Sequence, residues 1–272
     1  MQPKSLYLYV LLLMPLLVIG QDDKEIGRYS NYSYLLIMMN GKDTLGNATG
    51  FFVESKCKKL YLVSNFHVLL NRTPSLQPLI KNGKIIKWDR ILIRYKKRHT
   101  SLWSYYNLDL TQSLREASNF TKPWPVDLYR LEIKDLNVDD LNITDLQKTA
   151  SYDTNIKIGT KAFIFGFPVE DYKKEKNYNK RTTRILSGVI TRYENTNILT
   201  PTNMDLKLSC TGKEGFSGSP VFAYYYKREK SKKRLIVEFL GVNFASGGNN
   251  ALNIHSIGFR DIILDMMIPP CK

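Results

Sequence analysis

Ser217 stands between glycines in Gly215-Phe216-Ser217-Gly218-Ser219-Pro220, a tight turn that feeds the apolar pair Val221-Phe222. Glycine at 215 and 218 permits backbone conformations closed to other residues, so successive N–H groups can converge on an anion while the hydroxyl stays reachable. A reachable hydroxyl and a cradle for an oxyanion are what acyl transfer requires. The hydroxyl is a poor nucleophile without a base, and a histidine and a carboxylate precede it in the order His67, Asp127, Ser217. His67 follows the apolar run Leu60-Tyr61-Leu62-Val63, where the end of a strand can hold an imidazole at a cleft edge. Asp127 opens Val126-Asp127-Leu128-Tyr129-Arg130-Leu131-Glu132-Ile133, whose alternation reads as a strand. Asp109, in Asn107-Leu108-Asp109-Leu110, is the rival carboxylate; Asp127 is preferred because it directly precedes the clearer strand.

The elements that would position these groups are short strands. Residues 34–39 and 49–53 read as strands separated by the turn Asn40-Gly41-Lys42-Asp43, and 59–64 as a third that runs into His67. Residues 85–88 and 90–95 alternate with the period of strands, and 101–118 is polar and loop-like, with room for one short helix. Residues 136–154 are polar and acid-rich and read as a connection. A second series of strands follows at 161–168, 183–192 and 204–209, then 220–226 paired with 235–244, and last 251–258. Residues 260–267 carry helical spacing. Many short strands and one terminal helix indicate an all-β fold.

The chain has 272 residues, enough for one large two-lobed β domain or two modest ones. Its N-terminus has the plan of a secretory signal: Lys4, an apolar core over 6–19, and Val18-Ile19-Gly20 before Gln21. Cleavage near Gly20/Gln21 would deliver the chain as a secreted or periplasmic protein. Three cysteines, Cys57, Cys210 and Cys271, allow one disulfide at most and leave a thiol over, so the fold must rest on its core. Three histidines without metal-ligand spacing suggest no metal site, and no cofactor is expected. The net charge of +15 comes from separate basic clusters at 96–99, 173–184 and 227–234, which read as exposed loops. They could meet a polyanion or an envelope surface; without a recognition helix or stacking motif, specific nucleic-acid binding is not expected.

The ordered His67, Asp127 and Ser217 resemble the triad of chymotrypsin-like serine peptidases. Within that group the chain is most similar to bacterial trypsin-like peptidases of the glutamyl endopeptidase kind, through Thr49-Gly50-Phe51, Ser64-Asn65-Phe66-His67-Val68, Val126-Asp127-Leu128, Gly166-Phe167-Pro168 and the serine turn. The resemblance implies two six-stranded antiparallel Greek-key β-barrels, with the active site in the cleft between them and a short C-terminal helix. The corresponding divisions are a signal peptide at 1–20, a flexible lead at 21–30, a first barrel at 31–135, a connection at 136–154, a second barrel at 155–258, and a helix and tail at 259–272. It further implies His67 as general base, Asp127 as its orienting partner, Ser217 as nucleophile, and the N–H groups of Gly215 and Ser217 as the oxyanion hole. Thr211, Asn243, Phe244, Ala245 and Ser246 correspond to the substrate pocket. Asn243 stands where glutamate-specific relatives have a histidine, so glutamate preference does not carry over. Phe216 replaces the acidic residue that pairs with a newly cut N-terminus in the digestive branch, which removes that route of activation.

These readings converge on a secreted serine endopeptidase acting as a monomer on protein or peptide substrates. The alternative is an inactive binding or scaffold protein of the cell envelope on the same fold, motivated by Phe216, by Asn65-Phe66 before the histidine and by the basic surface.

Overall fold

The computed structural model describes residues 24–256, except 56, 98–99, 101, 123–125, 145–156, 175–176, 196–203, 230–231 and 248–250. The expected signal segment at 1–20 and the helix at 259–272 lie outside the described residues.

The first lobe contains β1 (Tyr34–Asn40), β2 (Asp43–Glu54), β3 (Leu60–Ser64), the small hairpin β4 (Ile80–Lys81) and β5 (Lys84–Ile85), β6 (Arg90–Lys96), β7 (Trp103–Asp109) and β8 (Tyr129–Ile133). The second contains β9 (Lys161–Gly166), β10 (Arg184–Asn195), β11 (Met204–Leu208), β12 (Pro220–Glu229), β13 (Lys232–Gly247) and β14 (Ala251–Ser256). Local chemistry sets the turns. Asn82 and Gly83 both take positive φ, 52° and 74°, as a two-residue hairpin turn requires.

The first six-stranded sheet runs β7-β6-β1-β2-β3-β8, and the second, β10-β11-β14-β13-β12-β9, closes into a barrel. Counted within each lobe, and leaving out the small hairpin, both follow the cyclic order first, second, third, sixth, fifth, fourth. The fourth strand lies beside the first in each, which is the Greek-key arrangement. They differ at one seam: the fifth and sixth strands pair in the second lobe, whereas in the first they are the edges β7 and β8. The fold is thus all-β with two six-stranded Greek-key units as expected, the second closed as a barrel and the first, expected as a barrel too, a sheet with β7 and β8 unpaired at its edges.

Three of the four apolar clusters among the described residues define the lobes and their seam. One, with Phe52, Leu62, Phe66 and Ile93, fills the first lobe, and another, with Ile164, Phe216 and Leu240, fills the second. Between them lie Phe51, Val53, Tyr61, Val63, Phe163, Phe222 and Phe239. β2 and β3 therefore bury both faces: Phe52 points into the first lobe and Phe51 and Val53 toward the second. This is why they read as continuous apolar runs rather than alternating ones. The seam is aromatic, with Phe51–Phe239 at 5.4 Å and Phe222–Phe239 at 5.6 Å between ring centroids.

Several expectations are corrected. Of the lead expected at 21–30, residues 24–30 are described and do not stay loose: Ile26 is buried and Tyr29 packs its ring on Phe222 and Phe163, at 5.1 Å and 5.9 Å. Two apolar side chains in a polar stretch are enough to dock it. Residues 101–118, expected as loop-like with room for one short helix, hold the strand β7 as well as a helix over Thr111–Ser118. The strand expected at 85–88 reduces to β5, because Trp88 turns into the core and anchors the chain there, its indole N–H donating to the Val68 carbonyl at 2.9 Å. The basic cluster at 173–184 is not wholly solvated, since Arg181 is buried. Cys57 is disulfide-bonded and Cys210 keeps a free thiol, in keeping with one pair and one thiol left over.

Candidate active site

β3 ends at Ser64, and the chain turns through Asn65 into the short helix Phe66–Leu70, so His67 lies on a helical turn and not on a strand. Phe66, Val68, Leu69 and Leu70 are all buried, which fixes the turn and leaves His67 as the helix residue that faces outward. Asn65 begins the helix, its carbonyl accepting from the N–H groups of Val68 and Leu69, both at 3.1 Å. Its side-chain amide donates to the Asp127 carbonyl at 2.7 Å and so ties the two segments together.

Asp127 lies in the bend before β8, flanked by buried Val126 and Leu128. Its carboxylate accepts twice from one residue: Oδ1 from the His67 backbone N–H at 3.0 Å, and Oδ2 from the ring at 2.6 Å to Nδ1. An ionised carboxylate only accepts, so the imidazole carries its proton on Nδ1 and leaves Nε2 bare. The pair is sheltered but reachable, with side chains 27% exposed for His67 and 13% for Asp127. Asp109, the rival carboxylate, is exposed at the end of β7, and its carboxyl is held below the usual range by the Thr111 side chain and by the Thr111 N–H, which donates to Oδ1 at 2.8 Å. It serves the start of the following helix.

In the serine turn Gly215 and Gly218 take φ of +98° and +81°, a region that favours glycine. Space is equally restrictive, since a Cβ on Gly218 would overlap Ser64 Oγ and the Thr49 carbonyl oxygen. Three successive carbonyls of the turn are pinned from outside. Gly215 O accepts from Thr49 Oγ1 at 2.9 Å, Phe216 O from Asn243 Nδ2 at 2.9 Å, and Ser217 O from the Thr49 N–H at 3.0 Å. The N–H groups of Gly215 and Ser217 donate to nothing among the described residues. Phe216 is fully buried in the second lobe, so the side chain beside the serine anchors the turn.

Thr49 joins the two arms. It holds the turn by side chain and backbone, while its carbonyl accepts from Ser64 Oγ at 2.8 Å, three residues before His67. The structure thus bonds His67 to Asp127 and brings Ser217 to the same edge of β2 and β3. Ser217 Oγ makes no hydrogen bond among the described residues.

Solved structures that resemble this chain include three proteases. The serine endoprotease of Yersinia pestis superposes with a TM-score of 0.48 at 14% identity, covering 88% of this chain and 63% of that one. The Rv3671c protease of M. tuberculosis, in its active form, gives 0.46 at 14% identity over 91% of this chain and 85% of that one. A Glu endopeptidase gives 0.43 at 15% identity, over 84% and 85%. No protein-family model and no curated protein matches.

Of the expected pocket residues, Thr211 is exposed and Phe244 half-buried, and the side chains of Ala245 and Ser246 lie outside the described residues. Asn243 is buried and points at the serine turn instead of standing open to a ligand. Its backbone accepts from Gly218 N–H at 2.9 Å and donates to Ser219 O at 3.0 Å, so it braces the turn from three sides. Sequence reasoning assigned no role to Asn47, Thr49, Ser64 or Asn65. Asn47 Nδ2 donates to the Phe167 carbonyl at 2.6 Å, behind Gly215. A polar residue inside an apolar strand is the signal that could have found them, since burial there demands a partner. No cluster of metal-ligating side chains occurs among the described residues.

Proposed function

We propose that this protein is a secreted serine endopeptidase that hydrolyses peptide bonds through an acyl-enzyme intermediate. The observation that carries the reading is the doubled bond from His67 to Asp127, taken with a serine turn whose Gly215 and Ser217 N–H groups are unengaged among the described residues. Ser217 Oγ attacks the scissile carbonyl carbon as His67 Nε2 takes its proton, and Asp127 steadies the imidazolium. The oxygen of the tetrahedral intermediate lies on the Gly215 and Ser217 N–H groups, each donor supporting the rate by on the order of 3 kcal/mol. Collapse breaks the C–N bond, and His67 passes its proton to the leaving amine. Water then attacks the acyl ester, losing a proton to Nε2, and the acid departs as Ser217 regains its hydrogen.

The substrate is a protein or peptide chain laid along the cleft between the lobes, and export follows from the signal-like N-terminus. Cleavage profiling of the mature chain on a peptide library tests this directly. Cuts lost on Ser217→Ala support it; identical cutting by wild type and Ser217→Ala would contradict it. Recovery of the chain from the extracytoplasmic fraction, shortened near Gln21, tests the export.

A further inference from the structure

One more carbonyl at the serine turn is held, by the segment that follows β9. The Val169 N–H, at the first position of the short helix Val169–Lys174, donates to the Glu214 carbonyl at 2.8 Å. Glu214 C=O and Gly215 N–H belong to one peptide unit, and a trans peptide directs these two groups to opposite sides. Holding the carbonyl on the helix therefore turns the Gly215 N–H away from it, and that N–H engages no acceptor among the described residues. Gly215 has no Cβ to stop this peptide turning over, so its direction depends on what holds the carbonyl. The two segments also touch: a Cβ on Gly215 would overlap the Phe167 carbonyl oxygen and press on the Val169 nitrogen.

The chain reaches Val169 from a fixed point. Asn47 Nδ2 donates to the Phe167 carbonyl at 2.6 Å, and the Phe167 N–H donates to Thr49 Oγ1 at 3.2 Å, so Phe167 hangs from β2. The same strand holds Gly215 O and Ser217 O through Thr49, which ties the helix start and the serine turn to one reference. Side chains bridge the region as well, Lys81 to Glu214 at 3.2 Å and Lys213 to Glu170 at 3.5 Å. Both of these pairs are exposed, and exposed ion pairs contribute little. The direction of the peptide thus rests on the backbone hydrogen bond.

We propose that the backbone N–H of Val169 is a positioning group for acyl transfer, holding the Glu214–Gly215 peptide so that the Gly215 N–H is aimed at the oxyanion before substrate arrives. The inference rests on the reading of Ser217 as nucleophile and gives the segment Phe167–Val169 a part in it. A donor fixed in advance requires no reorganisation at the moment of reaction.

Proline lacks an N–H and is tolerated at the first position of a helix, where that N–H has no intrahelical partner, so Val169→Pro deletes this one donor. Val169→Ala, which keeps the N–H, is the comparison. Both are made in the mature chain and assayed with the best-cut library peptide as a fluorogenic substrate, and with its C-terminal aldehyde, whose tetrahedral adduct on serine mimics the transition state. Against Val169→Ala, Val169→Pro is expected to lose about 100-fold in kcat, with KM nearly unchanged and the aldehyde bound more weakly in parallel. A merely destabilised protein would have fewer active molecules but the same aldehyde affinity. Asn47→Ala, which loosens the same segment at Phe167, is expected to show this pattern at about tenfold, and it decides the question if Val169→Pro does not fold. Equal kcat and aldehyde affinity in the Val169→Pro and Val169→Ala chains would overturn the proposal and leave the peptidase reading standing, as would, with Val169→Pro unfolded, wild-type values in Asn47→Ala. A wild-type chain that neither cuts peptides nor takes a fluorophosphonate would overturn both.

Discussion

Asp127 grips His67 at two points, the ring through Oδ2 at 2.6 Å and the backbone N–H through Oδ1 at 3.0 Å. One carboxylate therefore fixes both the tilt of the imidazole and the turn that carries it. Asp127→Asn should preserve the shape while offering an amide where only an acceptor fits, which favours the wrong tautomer. Peptidase kcat is expected to fall on the order of 10⁴-fold, with the thermal midpoint little changed. Asp109→Ala, which removes only a helix-start contact, should leave kcat intact; equal losses in the two variants would contradict the assignment.

Phe216 is fully buried among Ile164, Leu240 and Val221. Phe216→Ala should cost about 3–5 kcal/mol of unfolding free energy, measured by urea titration. Because the turn hangs from this side chain, activity should fall even where the variant remains folded. A loss below about 1 kcal/mol would mean that the ring does not anchor the turn.

Asn243 donates to the Phe216 carbonyl at 2.9 Å and brackets Gly218 and Ser219 through its backbone. Asn243→Ala leaves that carbonyl with only the Ser219 N–H at 3.1 Å, a cost of about 0.5–1.5 kcal/mol. The expected signature is a lower kcat with KM nearly unchanged. Asn243→Asp should be worse, since a carboxylate faces the carbonyl without a proton to give. A large rise in KM with kcat preserved would instead return Asn243 to the substrate pocket.

The serine turn, the histidine and the preferred aspartate were legible because each combines a reactive side chain with a local pattern: glycines around Ser217, an apolar strand before His67, an alternating strand after Asp127. The grip between His67 and Asp127 joins distant segments, and no local pattern reports it. β7 was missed because its exposed positions carry the aromatics Trp103 and Tyr105 while a half-buried one carries Ser104, so no clean apolar alternation marks it. The helix carrying His67 has five residues, too few to display a helical period. Arg94 and Arg181 looked like surface charge, since arginine is rarely buried and only tertiary packing puts these two inside. Asn47 and Asn71 begin glycosylation sequons, yet both amides donate to backbone carbonyls, of Phe167 and Trp88, which leaves Asn31, Asn119 and Asn142 as the exposed ones.

Cys210 packs against the core of the second lobe, and burial pushes its thiol up to about 11. Near pH 8 it stays protonated, so alkylation of the native chain should be slow and should quicken as pH rises toward that value. Denaturation should expose one thiol per chain before reduction and three after it. Rapid single-site alkylation of the folded protein at pH 8 would contradict this environment.

The most direct measurement is reaction of the mature chain with a fluorophosphonate, followed by mass mapping of the adduct. The account predicts one adduct, on Ser217, formed rapidly in the wild type, lost in Ser217→Ala and strongly slowed in His67→Ala. A folded wild-type chain that takes no label, or takes it elsewhere than Ser217, would contradict it.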